Sequence, residues 1–262
     1  MVVVTSEQRD VILDAVKKMY TDVARKPEQG FHFPTGRAAC EMEGYPAELL
    51  DPLPLSAVAS FAGVGFPFAA DVIREGHTVL DVGSGSGTDA LIAARMVGPE
   101  GEVIGLDMTR AMRERLEQNA HEMGAGNVRV LDGNAEEIPL PDDSVDVVTT
   151  NGVLNLVPDK EKAAREIFRV LRPGGWLQCA DICLGQEPSE ACRSKPELWA
   201  ECIVGATREE AYLDYFRHAG FDPVDVMSDL DYFAHSPSNS TRDLAASLGA
   251  RTVVFRARKP GA

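Results

Sequence analysis

Residues 79–87, Val79-Leu80-Asp81-Val82-Gly83-Ser84-Gly85-Ser86-Gly87, leave few folds open. A short apolar run predicts a buried strand, and three alternating glycines directly after it predict a sharp turn into a helix. Glycine serves there either the turn itself or a ligand that packs on the backbone where a Cβ atom would stand. Asp107 follows 20 residues after Gly87, at the end of the next apolar run. A strand, helix and strand crossover brings that carboxylate beside the first turn, where it can accept both hydroxyls of a ribose. The spacing departs from the dinucleotide fingerprint, because Thr88 stands where that pattern has its third Gly or Ala.

The surrounding pattern is that of an α/β protein. Strands are expected at 78–82, 102–106, 128–131, 145–149 and 175–180, with helices at 89–97, 110–123 and 160–171. Such alternation implies a mostly parallel sheet with right-handed crossovers. A strand at 221–227 and a last one at 252–257 would complete seven strands, the last antiparallel because the connection is too short for a full helical crossover. Helices are also expected at 196–206 and 208–219, the second ended by Gly220. Ahead of the sheet, Val11, Ile12, Ala15, Val16, Met19 and Val23 recur at helical spacing. Residues 30–67 are broken by proline and glycine and read as a lid with short helices near 46–50 and 55–61. The organisation expected is an N-terminal helix and lid over 1–70, a core over 71–185, and a C-terminal part over 186–262 that covers the site and completes the sheet.

Charge narrows the partners. Against 26 Lys and Arg stand 41 Asp and Glu, a formal net charge of −15. Nucleic-acid affinity rests on clustered basic residues, so that class is excluded, and an acidic surface repels anionic membranes. No apolar run approaches the roughly 18–20 residues of a membrane span, and MVVVTSEQRD reaches charge too early for a signal peptide, so a cytoplasmic location is expected. The five cysteines, Cys40, Cys179, Cys183, Cys192 and Cys202, are odd in number and lack a CxxC pair. Neither a disulfide framework nor a zinc site follows, and no metal-ligand cluster is visible. The oligomeric state is left open.

The glycine turn with Asp81 and Asp107 resembles motif I and its acidic partner in class I S-adenosylmethionine-dependent methyltransferases. Gly133-Asn134-Ala135-Glu136 resembles the segment that reads the adenine edge, the run from Asp142 to Asn151 the fourth strand and the loop facing the methyl group, and Val170-Leu171-Arg172-Pro173-Gly174-Gly175 the turn before the fifth strand. The resemblance implies a Rossmann-like fold and S-adenosylmethionine as cofactor. It implies that Asp107 holds the ribose, Met108 covers the adenine, Asn134 and Ala135 contact its edge, and Asp81, Gly83, Ser84, Gly85, Gly87 and Asn151 surround the rest.

Within that class the chain resembles the arsenite methyltransferases and their UbiE-like relatives. The carrying residues are Tyr20, Gly63-Val64-Gly65-Phe66-Pro67, Gly105-Leu106-Asp107-Met108-Thr109, Asn151-Gly152-Val153-Leu154-Asn155-Leu156-Val157-Pro158-Asp159-Lys160 and Leu198-Trp199-Ala200-Glu201-Cys202-Ile203-Val204-Gly205-Ala206. Thiolates hold As(III) in that family. By the resemblance, Cys40 and Cys202 are candidates for such thiolates, whereas Gly152 and Val64 replace two expected cysteines. A small organic acceptor is therefore expected, the alternatives being a trivalent arsenical or a cofactor-binding protein without transfer activity. For an organic acceptor, His32 between Phe31 and Phe33 is the candidate base. Tyr20, Gly152 and Asp181 are candidate acceptor contacts, Asp181 because it ends the fifth strand on the ligand side of an open α/β sheet.

Overall fold

The computed structural model describes residues 6–186 and 205–261. Thr78–Val82 (β1) lies parallel between Glu102–Asp107 (β2) and Val145–Asn151 (β4). Val128–Asp132 (β3) pairs with β2 and Leu171–Cys183 (β5) with β4, again parallel. Val224–Leu230 (β6) and Arg251–Arg258 (β7) complete a seven-stranded sheet of order β3-β2-β1-β4-β5-β7-β6. The last strand slots between β5 and β6 and is antiparallel to both. The order reverses between β1 and β4, so a crevice opens at their carboxyl ends.

The helices are Ser6–Arg25 (α1), Gly36–Met42 (α2), Ala47–Leu50 (α3), Leu55–Ala59 (α4), Thr88–Val97 (α5), Arg110–Met123 (α6), Lys160–Val170 (α7), Glu209–Ala219 (α8) and Asn239–Leu248 (α9). Two of them correct the sequence reading. Helix α2 forms inside the lid, where irregular chain was expected. Helix α9 forms in the polar stretch before the last strand, with the Ser238 hydroxyl accepting from the Thr241 N–H and Gly249 left-handed at its end. The last strand is antiparallel as expected, yet its connection carries a ten-residue helix, so connection length is not the cause. The helix expected at 196–206 falls mostly on 187–204, outside the described residues.

Strands β1 and β4 are buried on both faces, which is why they read as near-continuous apolar runs. On one face Ile167, Val170, Tyr212, Leu213 and Phe216 from α7 and α8 pack against Leu80, Val148 and Phe255. On the other, Leu91 and Ala94 of α5 and Leu116 of α6 meet Val79, Val103 and Val147, together with Leu50, Phe61 and Phe68 of the lid. A third cluster joins Ile12, Val16 and Val23 of α1 to Phe33, Val64, Met112, Tyr232 and Phe233. It draws α1 and the lid together beside the crevice. Among the described residues no helix is long and apolar enough to cross a membrane.

Candidate active site

At the carboxyl ends of β1, β2 and β4 lies a cavity with about 1020 Å³ of empty space, part of it open to solvent. Six stretches far apart in sequence wall it: Leu13, Val16 and Tyr20 of α1, residues 60–63 of the lid, the strand-end turns at 81–86, 106–109 and 133–136, and residues 151–153 with Leu156 and Val157. Of the sequence candidates, Tyr20, Asp81, Gly83, Ser84, Gly85, Asp107, Met108, Asn134, Ala135, Asn151 and Gly152 share its wall. Gly87 supports the turn from behind instead. Its φ is +100°, and an added Cβ would stand 2.3 Å from Leu116 Cδ1. At Gly85 (φ +53°) the nearest atom to an added Cβ is Met112 Sδ at 4.0 Å, so a ligand can approach the backbone there.

Asp107 shapes the turn from the end of β2. Its Oδ2 accepts from the Gly85 N–H at 2.9 Å and its Oδ1 from the Thr109 N–H at 2.7 Å. Burial raises this carboxyl above its ordinary range, against the pull of those two N–H groups. Asp81 is 2% exposed, and its Oδ2 has no hydrogen-bond partner. Burial first, then the charges of Asp89 and Asp107, push it well above the usual carboxylate range. The Asn134 side-chain oxygen accepts from the Glu136 N–H at 2.9 Å, which fixes the turn after β3 and commits that oxygen locally.

Asn151 joins the sheet to the lid. Its Nδ2 reaches Gly65 O at 2.8 Å, Tyr45 Oη at 3.0 Å and Asp89 Oδ2 at 3.1 Å, while its Oδ1 accepts from the Val64 N–H at 2.8 Å. The Tyr45 hydroxyl donates to Asp89 Oδ1 at 2.6 Å. Burial lifts Asp89 to about 6 against those donors. Helix α1 is fastened across the cavity by an ion pair from Arg9 to Glu136, whose other oxygen accepts from the Asp159 N–H at 2.9 Å.

Residues 73–220 match the methyltransferase-domain family. An arsenite methyltransferase of Halobacterium salinarum is 36% identical over 199 residues, 76% of this chain and 50% of that protein. A crystallised arsenic(III) S-adenosylmethionine methyltransferase from Chlamydomonas reinhardtii is 31% identical, covers 87% of this chain and 74% of its own, and superposes with a TM-score of 0.64. The chain belongs to the S-adenosylmethionine-dependent methyltransferases. A demethylmenaquinone methyltransferase of Listeria monocytogenes is 41% identical over 109 residues, 42% of this chain and 46% of that protein. The methyltransferase chain spans about half the length of the curated relatives it matches.

The cofactor of this methyltransferase is S-adenosylmethionine, and the cavity suits it. Asp81 Oδ2, Ser60 Oγ and Ser84 Oγ are buried, lie on residues of its wall and have no protein partner. Three such atoms call for a polar ligand. Asp107 and Met108 stand at the end of β2, while Asp81 stands on β1.

Besides Gly87, three described sequence candidates, Cys40, Asp181 and His32, are not on the wall of this methyltransferase's cavity. Cys40 is 0% exposed in the lid core, packed in one cluster with Ala39, Tyr45 and Leu50. Burial, with Asp89 and Glu43 nearby, raises its thiol, which disfavours a thiolate. Asp181 is buried beneath the sheet end, where its Oδ2 accepts from the Tyr212 hydroxyl at 2.8 Å and the Asn155 N–H at 2.9 Å, and its Oδ1 from the Ile182 N–H at 2.8 Å. It therefore braces the turn at 154–156 rather than facing an acceptor. Cys202 lies outside the described residues.

His32 packs edge-on to Phe33, with ring centroids 4.7 Å apart, and its Nε2 is buried without a partner. Burial lowers it to about 4. The unfolded chain takes this proton near pH 6.5 and the folded one near 4, so stability falls as pH drops between those values. His32→Phe should remove that loss, on the order of 1 kcal/mol between pH 7 and 5 once partial exposure is discounted. Denaturant midpoints of both proteins at pH 7 and 5 check this, and an unchanged difference between them would refute it.

Sequence reasoning missed Ser60 and Asp89, which both line the cavity. Asp89 sits in the first turn of α5, where an acid ordinarily satisfies the helix dipole, so its position alone carried no signal. Nothing in the sequence distinguishes Ser60 from any lid serine.

Proposed function

We propose that the protein transfers the methyl group of S-adenosylmethionine to a small organic acceptor. The observation that carries this reading is the composition of the wall near β4. Val153, Leu156, Val157, Phe61 and Ala62 give the cavity an apolar side, and among the described residues no thiol lines it. Gly152, at one of the family's cysteine positions, has φ +71°, and a Cβ there would lie 3.2 Å from Val64 Cγ1. A cysteine at 152 would be strained as well as crowded.

The cofactor supplies an electrophilic methyl on a sulfonium. The chain's own residues bind it, through Asp107 at the ribose and Asp81 at the amino-acid end, and exclude water with α1 and the lid. Holding an acceptor in line with the methyl group removes most of the entropic barrier to transfer. Transfer to trivalent arsenicals is the second reading, favoured by relatives named arsenite methyltransferases. It would rest on Cys202.

Methyl-labelled S-adenosylmethionine incubated with phenols, thiols, amines and trivalent arsenicals separates the readings. Label is expected in an organic acceptor. Label in arsenicals alone would support the second reading, and no transfer despite cofactor binding would leave a binding protein. Cys40→Ala should keep the rate of transfer while lowering the melting temperature slightly, since only a buried methylene-sized contact is lost. Abolished transfer in a folded Cys40→Ala protein would return that thiol to the site.

A further inference from the structure

We infer that Ser60, in the lid, is a cofactor-binding residue whose hydroxyl donates to the carboxylate at the amino-acid end of the methyl donor. Ser60 is 3% exposed, lies on the cavity wall, and its Oγ has no hydrogen-bond partner. An unpaired buried hydroxyl is costly, so such a group in a cavity points to a ligand.

Its place in the fold selects which part of the ligand. Ser60 directly follows α4, and the Ala57 carbonyl oxygen of that helix accepts from the Ser86 and Thr88 hydroxyls, each at 2.9 Å. Asn119 Nδ2 donates to Ser86 O at 2.8 Å, and the Ser56 hydroxyl donates to Asn119 Oδ1. These bonds dock α4 on the glycine turn after β1, and the chain that follows Ser60 runs to the end of β4, where an added Cβ on Gly63 would stand 2.5 Å from Asn151 Nδ2. The ribose and adenine contacts, Asp107, Asn134 and Ala135, belong to the β2 and β3 side.

The amino-acid end carries an ammonium and a carboxylate. Asp81 Oδ2 offers an unpartnered acceptor to the ammonium. The carboxylate needs a donor, and the other unpartnered hydroxyl nearby, Ser84, is turned toward β2, where a Cβ on Gly105 would stand 3.0 Å from its Oγ. Ser60 supplies the donor from above, so the lid itself becomes part of the cofactor's grip.

This rests on the cofactor assignment, and three ligands separate the two. Calorimetry on the full chain compares S-adenosylhomocysteine, its decarboxylated form with the ammonium kept, and 5′-methylthioadenosine, which lacks both groups. Ser60→Ala should weaken S-adenosylhomocysteine by roughly 10-fold, as expected for one lost bond to a charged group, and leave the other two unchanged. Ser60→Thr should restore most of the loss. Equal weakening of all three ligands, or none for S-adenosylhomocysteine, would overturn the assignment. Binding of none of the three by the wild-type protein would overturn the cofactor reading itself. Unaltered methylthioadenosine affinity shows that the variant pocket is folded.

Discussion

Asp107→Ala should weaken S-adenosylhomocysteine by about 2–4 kcal/mol, or roughly 30- to 1000-fold. Two losses combine in that figure. The first is direct, because the carboxylate oxygens at the end of β2 have lone pairs left for ribose hydroxyls, and bonds to a charged acceptor are the stronger kind. The second is indirect. The same oxygens hold the Gly85 and Thr109 N–H groups at 2.9 and 2.7 Å, so the variant also frees the turn that receives the ligand. Asp107→Asn keeps one acceptor oxygen and should fall between wild type and Ala. Calorimetric titration measures the affinities, and a melting curve confirms that the variants are folded. An affinity within threefold of wild type for Asp107→Ala would place the ribose elsewhere.

Asn151→Ala should lower the stability of the protein by about 3–5 kcal/mol, a large part of the 5–15 kcal/mol typical of a folded domain. The amide has partners on two lid backbone groups, on Tyr45 and on Asp89. Its removal leaves the Val64 N–H, the Gly65 carbonyl and one Asp89 oxygen without that partner, and each such buried group costs roughly 1–3 kcal/mol, although the costs do not simply add. Urea denaturation measures the loss, and limited proteolysis at residues 30–67 locates it. Cleavage there should quicken before the sheet unfolds. An unchanged urea midpoint would mean that the lid is held by its apolar contacts alone.

The core strands were legible because their ends are marked by residues with a mechanical task. Gly87, Gly124 and Gly220 all adopt positive φ at the helix boundaries where the sequence placed them. Helix α9 has comparable marks in Ser238 and Gly249, yet its first turn is polar and its inward face is little more than Leu244, Ala245 and Leu248. Helix α2 begins on Gly36 itself, close to Pro34, a pattern that argues for irregular chain. Within the site, Asp107 could be assigned because a crossover fixes where it must arrive. The four partners of Asn151 lie 62 to 106 positions away, and no local pattern encodes such meetings. Cys40 illustrates the same limit. Its place in the chain put it in the lid, but packing decided that it joins the lid core with Tyr45 and Leu50 and not the cavity wall.

The cavity wall is drawn from α1, the lid, the strand-end turns and the segment after β4. Whatever fills it touches α1, the lid and the strand ends at once. A ligand that binds only the folded chain adds RT ln(1 + [L]/Kd) to its stability, about 2.7 kcal/mol at a hundredfold excess over Kd. Binding of the methyl donor would tie the lid and the first helix to the strand ends through the ligand itself, and the melting temperature should rise with its concentration.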